Sequence, residues 1–388
     1  MRTIRPLTNT KVAKIPASGI RRFFDLAGGL DGAISLGVGE PDFVTPEAFR
    51  EAAIRSIKEG KTKYTSNYGI KPLRDAIVEH TAKLRGVRYD ADREVIVTVG
   101  VSEAVDLALR ATLNDGDEVI VADPSYVAYV PGIILAGGVP VPVPTEESED
   151  FRLTPAALAA GITPRTRAIL LGFPNNPTGA VLTKEDVRGI ARLAEEHDLL
   201  VYADEIYDRL VYGTEHQSIL DVPGMKERTI YLAGFSKSYA MTGWRVGYAC
   251  APAEVIEQMM KIHQYTVMCV PTAAQYAALE ALQNGEADVL RMVKAYDERR
   301  TYMWKRFNDM GLHCFEPRGA FYCFPNITST GISDDQFCER LLKQEKVVVV
   351  PGNAFGERGK GHVRACYASS MEQIHEACDR IERFIARI

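Results

Sequence analysis

Between Glu94 and Ala251 short apolar segments alternate with helical ones, and this alternation constrains the fold more than any other feature of the chain. Glu94–Val99, Glu118–Ala122, Val139–Val143, Ala168–Gly172, Leu199–Ala203, Thr229–Ala233 and Val246–Ala251 read as strands with little polar face. Ser102–Leu113, Tyr126–Ala136 and Thr183–His197 read as helices between them. The last carries a cap signature, Thr183 followed three residues later by Asp186. Strands without a polar face must be covered on both sides. The pattern therefore predicts an α/β fold, a large domain with a mostly parallel sheet covered by helices.

The flanks read differently. Ser18–Leu26 reads as a short helix capped by Ser18, and Pro46–Glu59 and Leu73–Leu84 have helical periodicity. Gly37–Phe43 is rich in turn residues. Helices follow Pro252, interrupted at Pro271, and Glu286–Met310 is one long helical stretch. Short strands near Gly319–Phe324, Lys346–Val350 and His362–Tyr367, with helices at Ser333–Gln344 and Met371–Arg387, predict a smaller α+β domain. The expected division is an N-terminal segment 1–45 that contributes to the small domain and the site, a large domain 46–285, and a small C-terminal domain 286–388. A chain of 388 residues is long enough for two closely packed domains.

Charge and cysteine usage narrow the class. The net charge is −5 with no basic block, which argues against nucleic acid as a partner. The seven cysteines are scattered, with no C-x-x-C, so neither a disulfide framework nor structural zinc is expected, and a reducing cytoplasm is the simplest setting. No signal-peptide core and no membrane-length apolar run is found. No dinucleotide fingerprint, phosphate-binding P-loop or H-E-x-x-H metal motif is present.

Polar clusters follow three of the strands: Asn175–Gly179, Asp204–Tyr207 and Ser236-Lys237. In open α/β sheets ligands bind beyond the carboxyl ends of strands, so these clusters are expected to converge. A lysine desolvated there becomes available for Schiff-base chemistry. Asp204 would pair with a pyridine nitrogen and keep it protonated, and Tyr207 with Asn176 would donate to a ring oxygen. The helix that follows Gly100 offers free amides to a phosphate, and Arg245 completes the cradle. Tyr126 would stack on the ring. Taken singly, Lys237 and Arg245 read as surface residues, Asp204 as a helix cap, Asn176–Gly179 as a turn, and Tyr126 and Tyr207 as core or rim aromatics. Their joint position at strand ends carries the argument.

At these residues the chain resembles the class I/II pyridoxal-phosphate aminotransferases of fold type I. The likeness runs through Gly39–Phe43, Tyr64–Arg74, Asp123–Tyr126, Asn176–Gly179, Asp204–Tyr207, Lys237–Gly247 and Arg364, and so covers nearly the whole chain. The resemblance implies pyridoxal 5'-phosphate as cofactor, Lys237 as Schiff-base lysine and proton carrier, Asp204 on the pyridine nitrogen, and Tyr207 and Asn176 on the phenolic oxygen. It implies a phosphate held by the Val101 and Ser102 amides, Arg245, and Tyr64 of a second subunit in a homodimer. Arg364 would clamp the substrate α-carboxylate, helped by Gly39 and Asn176. Two departures stand out. A phosphate-binding serine common in the family is replaced by Gly234, which leaves Ser236 or Ser238 to compensate. Ser102 stands where some aspartate-type relatives carry a lysine, which puts that route to acidic substrates in doubt.

Ser18–Phe23 and Lys261–Tyr265 resemble most the bacterial enzymes acting on aspartate, aromatic or N-acetyl-diaminopimelate substrates. The expected activity is ping-pong transfer of an L-amino acid's amino group to a 2-oxo acid such as 2-oxoglutarate. A β-lyase on the same scaffold is the alternative. A cofactor-sensing transcription regulator is a remote one, because little chain precedes Gly39 to hold a DNA-binding domain.

Overall fold

The computed structural model describes residues 7–13, 15 and 32–388. The expected Ser18–Leu26 helix lies outside them. Seven strands form the main sheet: β2 (Val95–Thr98), β3 (Glu118–Asp123), β4 (Val139–Pro144), β5 (Thr166–Leu171), β6 (Leu200–Asp204), β7 (Thr229–Gly234) and β8 (Gly247–Cys250). Their order is β2-β8-β7-β6-β5-β3-β4. β8 runs antiparallel to both of its neighbours, and every other pairing is parallel.

Side-chain alternation assigns each sheet face a core. Ile96, Val119, Val121, Leu170, Tyr202, Ile230, Leu232 and Ala249 share one buried cluster, with the Gly100–Thr112 helix supplying Ala104, Leu107 and Ala108. Ile120, Ile169, Leu171, Val201 and Ala203 join a second, and Val95, Val97, Tyr231, Ala233, Tyr248 and Cys250 a third. Successive side chains of a strand point to opposite faces, so a strand apolar at both parities must be covered twice. The Lys184–Glu196 helix opens on the expected box: Thr183 accepts from the Asp186 N–H, and the Asp186 carboxylate accepts from the Thr183 N–H.

A separate core gathers Met292, Tyr296 and Phe307 of the Glu286–Asp309 helix with Phe321, Phe337, Ile374, Ile381 and Phe384. Ile34 and Leu36 belong to it. They are brought there by β1 (Ile34–Ser35), which pairs parallel with β10 (Val347–Val348). β9 (Tyr322–Cys323), β11 (Val350–Pro351) and β12 (Val363–Cys366) form a small sheet in the order β11-β12-β9. The Lys346–Val350 strand read from the sequence is therefore two strands that serve different sheets. The expected Tyr126–Ala136 helix begins only at Tyr129, which leaves Tyr126 on the loop. Pro155–Gly161, capped by Thr154, is a helix that the periodicity did not reveal.

One close approach fixes the geometry beyond the sheet. A Cβ at Gly247 would lie 2.6 Å from the Gly100 carbonyl carbon and from the Val101 nitrogen. A Cβ at Gly234 would lie 3.0 Å from the Gly247 Cα. Only glycine lets β7, β8 and the start of the Gly100–Thr112 helix meet backbone to backbone. Gly247→Ala should lower the thermal midpoint by an amount equivalent to about 1–3 kcal/mol of overpacking, read by calorimetry. Gly243→Ala, whose Cβ would have open space around it, should leave the midpoint unchanged.

Candidate active site

A cavity of about 670 Å³ opens at the carboxyl ends of the parallel strands. The strand order reverses between β3 and β5, the position where ligand crevices form in such sheets. Its walls include Gly39, Val101, Ser102, Tyr126, Asn176, Asp204, Tyr207, Ser236, Lys237, Arg245 and Arg364. All the site residues expected from the sequence thus share one space, except Tyr64. That tyrosine is 81% exposed and does not line the cavity of its own chain.

Lys237 follows β7 and reaches inward, where its amine donates to the Gly39 carbonyl at 2.6 Å. Burial pushes its pKa down from 10.5 to about 8, because a desolvated ammonium loses hydration that one carbonyl does not replace. Asp204 ends β6 and is pushed the other way by burial, up to about 6. Its Oδ2 accepts from the Tyr129 hydroxyl at 2.8 Å and its Oδ1 from the Ile206 N–H at 3.3 Å. No helix follows Asp204, so the cap reading of this residue does not apply. At neutral pH it is a mostly ionised carboxylate inside the protein, held by neutral donors and in want of a cation.

The opposite wall is cationic. Arg364 lies on β12, and its guanidinium sits 4.5 Å from the Tyr322 ring centroid and 4.8 Å from that of Phe355. It donates to Asn176 Oδ1 at 2.8 Å and to the Gly37 carbonyl at 2.6 Å. Its Nε has no partner, and no carboxylate pairs with it among the described residues. A buried guanidinium without an anion is costly, which marks this place as one for a carboxylate ligand. Tyr207, its hydroxyl 2.8 Å from that of Tyr322, has its pKa raised well above 10 by burial and stays a neutral donor.

Arg245 has φ 54°, an uncommon left-handed backbone for a residue with a side chain. Its guanidinium fills the space above Gly100, where a Cβ would come within 2.7 Å of Nη2. It donates to the Thr242 carbonyl at 3.2 Å. The first amides of the Gly100–Thr112 helix have no intrahelical acceptor, and with Arg245 and Ser236 on the same cavity wall these groups could hold a dianion. At Gly234, where the family often carries a serine, a Cβ would sit tightly, 3.0 Å from the Gly247 Cα and 3.1 Å from the Val246 carbonyl oxygen. Of the two substitutes, Ser236 lines the cavity, whereas the Ser238 hydroxyl is buried away from it without a partner.

The sequence reading missed Tyr129 and Tyr322, which hold Asp204 and Tyr207. Tyr322 lies inside the apolar run Ala320–Phe324, where nothing distinguishes it from core. Tyr129 offered only its spacing of three from Tyr126.

Known proteins share this arrangement of chain. An aromatic-amino-acid aminotransferase of Thermococcus litoralis is 46% identical over 97% of this chain and 97% of its own length. An aspartate aminotransferase of Pyrococcus abyssi is 46% identical over 95% of each chain. The structure of an aspartate aminotransferase from Thermus thermophilus with maleate superposes with a TM-score of 0.93 at 40% identity, covering 98% of this chain and 100% of that one. The family model for class I and II aminotransferases matches residues 31–381, a span that holds every wall of the cavity, and this chain belongs to that family of aminotransferases.

Proposed function

We propose that this aminotransferase binds pyridoxal 5'-phosphate at Lys237 and moves the amino group of an L-amino acid, aspartate or aromatic, to 2-oxoglutarate or a similar oxo acid. One observation carries the reading. A buried amine of lowered basicity shares a cavity with a buried carboxylate and with an arginine that lacks an anion.

The donor set fits the cofactor. The helix start, Ser236 and Arg245 would take its phosphate, Asp204 its ring nitrogen, and Tyr207 and Asn176 its ring oxygen. Tyr126, whose ring meets Tyr129 edge to face, would cover its face. Bound there, pyridoxal phosphate supplies an electrophilic carbon and a ring that spreads negative charge. Arg364 and Asn176 orient the substrate carboxylate. Lys237 Nζ would take the proton from the substrate Cα, and Asp204 would hold a proton on the cofactor's ring nitrogen. The same residues serve both halves of a ping-pong cycle. Within this reading residues 46–285 form the cofactor domain, and the unpaired cysteines suit a reducing cytoplasm.

The amino-group donors named come from the relatives, which act on aspartate or on aromatic amino acids by their names. Val38, Val105, Val127 and Ile206 add apolar wall to the cavity, which suits an aromatic side chain. Assayed against 2-oxoglutarate, phenylalanine, tyrosine and aspartate should be the productive donors. Release of pyruvate and ammonia from a sulfur amino acid, without transfer, would overturn the reading.

The lowered basicity of Lys237 sets a pH dependence. The amine is neutral above its pKa, so cofactor capture by the stripped protein should accelerate as pH rises through about 8. Borohydride should then fix the cofactor on a peptide that contains Lys237. A capture midpoint near the ordinary 10.5 would contradict this.

The exposed position of Tyr64 suits a homodimer in which it reaches the neighbouring cavity. Tyr64→Ala and Lys237→Ala proteins should each be weak or inactive alone and should regain activity on mixing, because one site of the mixed dimer is then complete. Absence of recovery in a verified mixed dimer would place Tyr64 outside the partner's site.

A further inference from the structure

We propose that Glu103 and His263 are a positioning pair that sets the start of the Gly100–Thr112 helix for a phosphate, and so governs how strongly the site prefers a phosphorylated cofactor to its dephosphorylated form. The inference rests on the pyridoxal-phosphate reading given above.

His263 lies on the Ala253–Thr266 helix, packed beside the Gly100–Thr112 helix, and is fully buried. Its Nδ1 is 2.8 Å from Glu103 Oε1. The other oxygen, Oε2, accepts from the Val99 N–H at 2.5 Å. One carboxylate therefore ties a neighbouring helix to the residue just before Gly100. Val99 needs such a tie. Its N–H precedes the helix and has no acceptor within it. The backbone bends there, with ψ 72° at Val99 and φ 70° at Gly100, before the helical amides begin. Glycine at a bend of this kind is permissive, and the Glu103 bond removes that freedom.

The imidazole makes no other hydrogen bond among the described residues. Its Nε2 is buried without a partner among the described residues, a costly state for a ring nitrogen. The imidazole is thus aimed by Glu103 alone. Both carboxylate oxygens are engaged, one by the Val99 N–H and one by the imidazole. Neither residue lines the cavity, so neither touches a ligand or a reacting atom. Their effect would pass through the Val101 and Ser102 amides, which face the phosphate rather than the ring.

The test is a titration of the full-length stripped protein with pyridoxal phosphate and, separately, with pyridoxal. A contact that merely holds two helices together would affect both ligands alike. His263→Leu, which removes the donor, should weaken pyridoxal phosphate by about tenfold, the factor carried by one hydrogen bond to a charged group, and leave pyridoxal nearly unchanged. His263→Asn, whose amide can stand in for Nδ1–H, should restore most of the preference. Equal weakening of both ligands, or of neither, overturns the proposal. If His263→Leu does not fold, Glu103→Ala is read in the same way: both contacts are lost, so the preference should fall, and an unchanged preference overturns the proposal. A wild-type protein that binds both ligands equally would overturn the cofactor reading and this inference together. A preference that survives in the variants overturns only the inference.

Discussion

The site depends on a contact between main chains. At Gly247 the peptide of β8 lies against the Gly100–Val101 peptide with no space for a side chain. Gly234 packs against Gly247 from β7 with little more. This junction sets the distance between the loop that carries Lys237 and Arg245 and the helix whose amides face them. It also accounts for Gly234 itself. A side chain there would need its neighbours to give by a few tenths of an ångström, and the hydroxyl that lines the cavity comes two residues later, from Ser236.

Around the junction the protein keeps charges that it does not neutralise internally. Arg364 has aromatic rings and carbonyl oxygens about it but no carboxylate among the described residues. Asp204 has a phenol and an amide but no cation in hydrogen-bond contact. Lys237 has a carbonyl. A buried cluster elsewhere is paired: Arg85 lies 3.1 Å from Glu205 and 2.9 Å from Asp208, and Glu205 is bonded to His216 as well. The contrast separates charges that serve the fold from those left open for ligands. Open buried charges cost stability, which such a site retains only where a ligand completes them.

Much of this was legible in the sequence. The apolar strands named the sheet, and the polar residues just after them named the wall that holds Lys237, Asp204 and Asn176, because an α/β sheet sends its strand ends to one side. The sequence said less about residues whose partners are distant. Tyr129 and Tyr322 look like core until their hydroxyls are seen on Asp204 and Tyr207. Glu103 and His263, 160 positions apart, have no local pattern linking them. The partner change at Val349 was hidden too, since Val347–Pro351 is uniformly apolar and period alone does not say which sheet each residue joins. Turn chemistry misled at Tyr126, where a helical pattern starts before the helix does.

β1 has a consequence for the Lys237 amine. It pairs with β10, and its Ile34 and Leu36 are buried in the core of the C-terminal elements, so the following segment through Gly37 and Gly39 is carried by that body. Yet the Gly39 carbonyl is the acceptor for Lys237, whose strand belongs to the large sheet. The Lys237 amine thus links the segment after β1 to the loop that follows β7. Any ligand that claims this amine must break that hydrogen bond, while Glu40 keeps its bond from Thr242 and Thr45 its bond to the Ala240 carbonyl. The Gly39 carbonyl and any ligand of Lys237 therefore compete for one amine, and the Gly39 interaction is part of what a ligand must outweigh.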